Sequence, residues 1–197
     1  MRILVVHAHP VAESFSTALF RTVCETLSLR GHEVRPMDLY AIGFDPVMSR
    51  AERIAYHDRG TNAAPVADQL EALKWAEGLI FVYPTWWYSL PAMLKGWLDR
   101  VWVPHETFRM PEGNQPVTGL MTNIRLIGGV STYGAPWLWT RWMGDPGRRI
   151  ILRGIGAICA RKRQTFWLAL HKMDSVTPEQ RAAFLAKVKA TVSALPV

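Results

Sequence analysis

Residues 80–102 read IFVYPTWWYSLPAMLKGWLDRVW. Leu79–Tyr83 is an unbroken apolar run of strand length, and Pro84 breaks it. Thr85, Trp86, Trp87 and Tyr88 follow. Pro91 then opens a segment in which Leu94, Trp97, Leu98 and Val101 recur at helical spacing. Proline suits the first turn of a helix and nothing deeper. The order is therefore strand, aromatic loop, helix. A solvated connection has no need of two tryptophans and a tyrosine in a row, because apolar surface left in water costs about 25 cal/mol per Å². Either a flat ligand covers them, or they pack in the core or a subunit contact.

Upstream, Ile3–Val6 is apolar without alternation, the pattern of a strand covered on both faces. Arg2 before it resembles the start of a signal peptide. The run is short and no small-residue cleavage site follows, so it reads as the first strand of a mature cytoplasmic protein. Ser14 or Ser16 caps a helix with Leu19, Phe20, Val23, Cys24 and Leu27 on one face. Glu33–Leu39 reads as the second strand. Tyr40–Pro65 is weakly patterned, with one short helix near Ala51–Asp58, and a helix follows at Val66–Ala76.

Downstream, Val103–Val117 reads as a loop and Asn123–Val130 as the fourth strand, ending in a turn at Ser131–Pro136. Trp137–Met143 and Arg148–Gly154 are helical pieces, and the fifth strand lies within Ala157–Leu170. Thr177 caps a last helix with Pro178 in its first turn and Phe184, Leu185, Val188, Val192 and Leu195 on one face. Alternating strands and helices predict one α/β domain over residues 1–197, a three-layer sandwich around a five-stranded parallel sheet of order 2-1-3-4-5.

In such a sheet ligands bind beyond the carboxyl ends of the strands, where the strand order reverses. That rule selects three loops: His7–Thr17, Pro84–Ser89 and Ser131–Pro136. The first brings His9, Ser14, Phe15, Ser16 and Thr17 to a helix start, where free N–H groups and the helix dipole favour an anion. The competing reading of the serines is simple capping, and of His9 a satisfied structural histidine. The second loop offers Thr85, Trp86, Trp87 and Tyr88 to a planar ring. The third offers Ser131, Thr132, Tyr133 and Gly134, and the glycine permits close backbone approach. One phosphate site and two loops for a ring edge suggest a flavin more than a nicotinamide.

Composition narrows the remaining classes. The chain has 197 residues and a formal net charge of +7. Much of that charge lies late, in Arg141, Arg148, Arg149, Arg153, Arg161, Lys162 and Arg163. A small phosphorylated ligand, or a solvated or subunit-facing surface, accounts for it; nothing matches a nucleic-acid module. No apolar run approaches a membrane span. Cys24 and Cys159 lack metal or redox spacing, and the histidines do not cluster with carboxylates, so no metal site is expected. G-x-G-x-x-G, G-x-x-x-x-G-K-[ST] and G-x-S-x-G are all absent.

His9-Pro10 with Ser14-Phe15-Ser16, and Pro84 to Val101 as P-x-x-W-[YF]-x-x-P-x-x-L-K-G-W-x-[DE]-R-V, resemble the flavodoxin-like NAD(P)H:quinone oxidoreductase family. The resemblance implies a flavodoxin-like fold, a bound flavin (FMN or FAD), NAD(P)H as co-substrate, and a quinone or similar small electron acceptor. It also implies a homodimer with its site at the interface. By position, His9, Phe15 and Ser16 would hold the flavin phosphate or its extension, and Thr85, Trp86, Trp87 and Tyr88 the isoalloxazine. Ser131, Thr132, Tyr133 and Gly134 stand in the place of the family's T-T-G-G loop, of which only the second Thr and last Gly persist. Ser16 replaces a usual Asn. No histidine lies between Gly134 and Leu170, so the family's Tyr–His relay does not transfer, and Tyr133 is the candidate general acid. Two other readings share the fold: a flavodoxin-type electron carrier, disfavoured by the basic charge, and an ancillary regulatory subunit of a potassium-efflux transporter.

Overall fold

In the computed structural model the described residues are 1–111, 113 and 116–196. Positions 112, 114 and 115, within the expected 103–117 loop, and position 197 lie outside them. The strands of the main sheet are β1 (Arg2–His7), β2 (Glu33–Asp38), β3 (Gly78–Thr85), β6 (Leu126–Tyr133) and β7 (Gln164–Leu170). A two-stranded ribbon, β4 (Phe108–Arg109) with β5 (Thr118–Gly119), interrupts the expected loop. The helices are α1 (Phe15–Leu29), α2 (Arg50–Ile54), α3 (Ala67–Trp75), α4 (Ala92–Val101), α5 (Trp137–Trp142), α6 (Pro146–Arg149) and α7 (Pro178–Ser193). A π-helix, Ile150–Ile155, continues from α6. The main sheet is parallel, with order β2-β1-β3-β6-β7. Counted along the sheet this is 2-1-3-4-5, as the alternation of elements predicts.

Both faces of the sheet are covered, which is why its central strands are apolar throughout. Ile3 and Val5 of β1 join Ile80 and Val82 of β3 against α1 and α7 (Leu19, Phe20, Val23, Val188, Val192). Their neighbours Leu4, Val6, Leu79 and Phe81 turn to the other layer, with Leu73, Leu94, Trp97 and Val101. Ser14 caps α1 by accepting from the Thr17 amide. Thr177 and Gln180 form a capping box on α7.

Two strands run further than expected. β3 includes Pro84 and Thr85, and β6 includes Ser131, Thr132 and Tyr133, in register Pro84↔Thr132 and Thr85↔Tyr133. The physical reason is that β1 ends first. The Val82 carbonyl accepts from the Ala8 amide, so Pro84, two residues on, also turns its nitrogen toward β1. No β1 residue is left there to need the missing N–H. The pair β3–β6 thus projects past the end of β1 and carries the candidate residues with it.

Candidate functional site

The three expected loops meet in a cleft of about 380 Å³ beyond the strand ends. His9, Ser14, Phe15 and Ser16 line it from β1–α1, and Pro84, Thr85 and Trp86 from β3. Thr132 and Gly134 line it from β6, and Met173 and Asp174 from the loop after β7. The size falls within the usual range for a small-molecule site.

His7 anchors the first wall without facing the cleft. It is fully buried, its Nδ1 lies 2.9 Å from the Val82 carbonyl and its Nε2 3.2 Å from Thr17 Oγ1. Burial lowers its pKa, with weaker opposing effects from the Val82 carbonyl and Asp38, so the ring is neutral with its proton on Nδ1. His9 is different. Its Nδ1 lies 3.0 Å from the Val11 amide nitrogen and 3.2 Å from the Val11 carbonyl oxygen, which holds the ring against the first loop. Its ring centroid stands 5.9 Å from that of Trp86, joining the first and second loops at the cleft.

At the start of α1 the two serines divide the work. Ser14 Oγ is committed to the Thr17 amide at 3.1 Å. Ser16 is only 4% exposed, and among the described residues its Oγ has no hydrogen-bond partner. A buried hydroxyl without a partner is uncommon and points to a missing ligand atom. It sits where the free amides of the first turn and the helix dipole favour an anion. That arrangement fits the phosphate of a flavin.

Trp86 and Ser89 exchange backbone hydrogen bonds of 3.2 and 3.0 Å, closing a two-residue turn. Trp87 and Tyr88 occupy it at φ 47° and 63°. Left-handed backbone costs a residue with a side chain about 1–2 kcal/mol. The turn leaves Trp87 93% exposed. Tyr88 Oη accepts from Trp139 Nε1 at 2.9 Å, tying the turn to α5. Thr85 Oγ1 and Ser131 Oγ lie 2.9 Å apart and link the ends of β3 and β6. Trp87 and Tyr88 therefore stand at the rim, whereas Ser131 lies beneath the lining.

Tyr133 turns away from the cleft. It is 2% exposed, donates its hydroxyl proton to Asp145 Oδ1 (3.1 Å) and accepts from Trp167 Nε1 (3.2 Å). Burial first, then the Asp145 charge, push its pKa well up. His171, just past the histidine-free Gly134–Leu170 segment, stacks on the Tyr133 ring at 4.7 Å. Met173, Asp174 and His171 were not picked out from the sequence. The strand-end rule that selected three loops applies equally to the loop after β7, but the limits of that strand were not fixed by its pattern.

A family profile for the flavodoxin-like fold matches residues 1–193. The chain is 36% identical over 145 residues to the Uncharacterized NAD(P)H oxidoreductase YcaK of Escherichia coli (strain K12), covering 73% of each. It is 34% identical over 118 residues to the Ribosyldihydronicotinamide dehydrogenase-like protein traD of Penicillium crustosum, with 52% of this chain matched to 44% of that one. The chain thus spans under half the length of that relative. The fold superimposes on the NAD(P)H:quinone oxidoreductase from Methanothermobacter marburgensis with TM-score 0.83 and 24% identity, covering 100% of this chain and 99% of that one. With the strand order, the Pro84–Val101 block and the converging loops, these matches place the chain in the flavodoxin-like NAD(P)H oxidoreductase family.

Proposed function

We propose that the protein is a flavin-dependent oxidoreductase that moves reducing equivalents from NAD(P)H to a quinone or a similar electron-poor acceptor. One observation carries the reading. The partnerless Ser16 hydroxyl at the start of α1 and the strained Trp86–Ser89 turn border one cleft. An anion site beside an aromatic turn suits a phosphorylated planar ring.

The flavin, when bound, supplies the two-electron chemistry. The residues of the chain bind and orient it. Ser16 Oγ and the first-turn amides of α1 would hold the phosphate, with the His9 ring beside them in the lining. Among the described residues the amides of Trp87 and Tyr88 donate to no backbone group, so they are free for the ring edge. Thr132 and Gly134 form the opposing wall. Tyr133 holds its proton at Oη and fixes the end of β6 through Asp145. This geometry supports a positioning role for Tyr133 over the general-acid role.

The exposed face of α5, with Trp137, Leu138, Trp139 and Trp142, is the surface we assign to a homodimer contact beside the cleft. The free cysteines suit a reducing cytoplasm, and no described helix is long and apolar enough to cross a membrane. The test is to purify the protein, release and identify any flavin, and follow NADH and NADPH oxidation with a panel of quinones. A protein that stays colourless and gains no flavin absorbance with FMN or FAD would sink the proposal.

A further inference from the structure

A second concave site lies across the end of β6 from the cleft. Arg141, Arg148, Arg149 and Arg153 line it together with Gly144, Asp145 and Leu152, around about 300 Å³. All four arginines are exposed, and none forms an ion pair with a described residue. Four guanidinium groups thus face one carboxylate, and Asp145 already accepts from Tyr133. The cluster is built by local structure. Asp145, at φ 46°, turns the chain from α5 into α6, and the following π-helix carries Arg153 back beside Arg149. π-helical segments are rare and recur at functional sites. The guanidinium of Arg141 also lies 5.7 Å from the Trp137 ring, which helps hold it in place.

Four guanidinium groups gathered around a single carboxylate match a phosphate dianion, which each binds through a planar fork of donors. The site is distinct from the anion site at α1. That helix covers one face of the sheet, whereas the π-helix packs Ile151 and Ile155 into the core of the other. A flavin phosphate held by Ser16 therefore leaves the arginines for another molecule. Tyr133 connects the two sites: its hydroxyl bonds Asp145 at the arginine site, and its chain neighbours Thr132 and Gly134 line the cleft.

We infer that this arginine site receives the 2′-phosphate of NADPH and makes the protein selective for NADPH over NADH. The inference rests on the proposed oxidoreductase function, since it names the dinucleotide that would reach the cleft.

Two measurements test it on the flavin-loaded protein. First, 2′,5′-ADP and 5′-AMP are titrated calorimetrically into wild type, Arg148→Gln/Arg149→Gln and Arg153→Gln. The charge-matched control is Lys187→Gln/Lys189→Gln on α7. Wild type and control should bind 2′,5′-ADP at least about tenfold more tightly than 5′-AMP, and both arginine variants should lose that margin. Second, the ratio of kcat/KM for NADPH to that for NADH should fall about tenfold or more in the arginine variants only. Equal affinity of wild type for the two nucleotides would overturn the inference. So would loss of flavin from the arginine variants, which would give the arginines to the flavin, or dissociation of a dimer on light scattering, which would give them to a second copy. If wild type oxidises neither dinucleotide, the functional proposal fails, and the nucleotide titration still decides whether the site reads a 2′-phosphate.

Discussion

The Trp86 and Ser89 amides each donate to the other residue's carbonyl, at 3.2 and 3.0 Å, and the turn they close holds two aromatic residues at positive φ. Glycine would take that backbone without strain. Trp87→Gly should therefore leave thermal stability unchanged or raise it by about 1 kcal/mol. Trp87→Ala should change stability by no more than about 0.5 kcal/mol, because the side chain is 93% exposed. Both should weaken flavin binding, read by fluorescence titration. Equal losses of stability and affinity would return Trp87 to a structural role.

Ser14 and Ser16 lie two residues apart and should respond in opposite ways. Ser14→Ala removes the cap of α1 and should destabilise the protein by about 1 kcal/mol in urea unfolding. Ser16→Ala removes a buried hydroxyl that has no described partner, so the flavin-free protein should be as stable or slightly more so. Its affinity for FMN should fall by roughly tenfold, the loss of one hydrogen bond to a charged group.

Tyr133→Phe should lower stability by about 1–3 kcal/mol, since it strips a partner from both Trp167 and Asp145 within the protein. If Tyr133 positions the end of β6, kcat should keep its pH dependence in this variant. Loss of one limb of the pH–rate profile would restore the general-acid role.

Gly96, the glycine of the L-K-G-W block, is fixed by packing. A Cβ there would lie 2.2 Å from the Pro46 carbonyl oxygen and 2.6 Å from the Pro46 Cα. Gly96→Ala should destabilise by about 1–3 kcal/mol, because the obstacle is backbone. The check is the urea midpoint; an unchanged midpoint would show that the 44–49 segment yields freely.

Burial pushes the Cys159 thiol up to about 12 from an ordinary value of 9.0. The folded protein therefore keeps this proton where the unfolded chain has lost it. Stability should be insensitive to Cys159 below pH 9 and decline above it, by about 1.4 kcal/mol per pH unit until the folded thiol itself titrates. Cys159→Ser should flatten part of the decline between pH 9.5 and 11 in thermal unfolding, and an unchanged slope would show that the thiol is reached by water.

The strand order was readable because unbroken apolar runs separated by helical patterns allow few arrangements, and the strand-end rule then located the cleft. Pro84 and Ser131 look like turn residues, so the ends of β3 and β6 are hidden in the sequence. The early end of β1 lets the ladder tolerate Pro84, and Ser131 pairs between Tyr83 of β3 and Ala169 of β7. The site followed the same division. His9, Ser14, Phe15, Ser16, Thr85, Trp86, Thr132 and Gly134 were expected and do line the cleft. Trp87 and Tyr88 stand at its rim, and Ser131 and Tyr133 lie behind it. Strand alternation decides this, turning neighbours to opposite sides once they belong to β6.

Period and composition alone determined the α/β sandwich, the cap at Thr177, the narrowing of the α1 cap to Ser14 or Ser16, and the three loops that carry polar and aromatic groups, because those features depend on near neighbours in the chain. Tertiary structure decided the rest. It left the Ser16 hydroxyl without a partner, laid His171 on Tyr133, turned the Tyr133 hydroxyl to Asp145, and gathered four arginines around one hollow. The contacts of Tyr133 with His171 and Asp145 join residues that strand pairing and chain reversal bring together, and such meetings are set by the free energy of the whole fold, whereas the arginines, close in the chain, are gathered by the local turn from α5 into the π-helix.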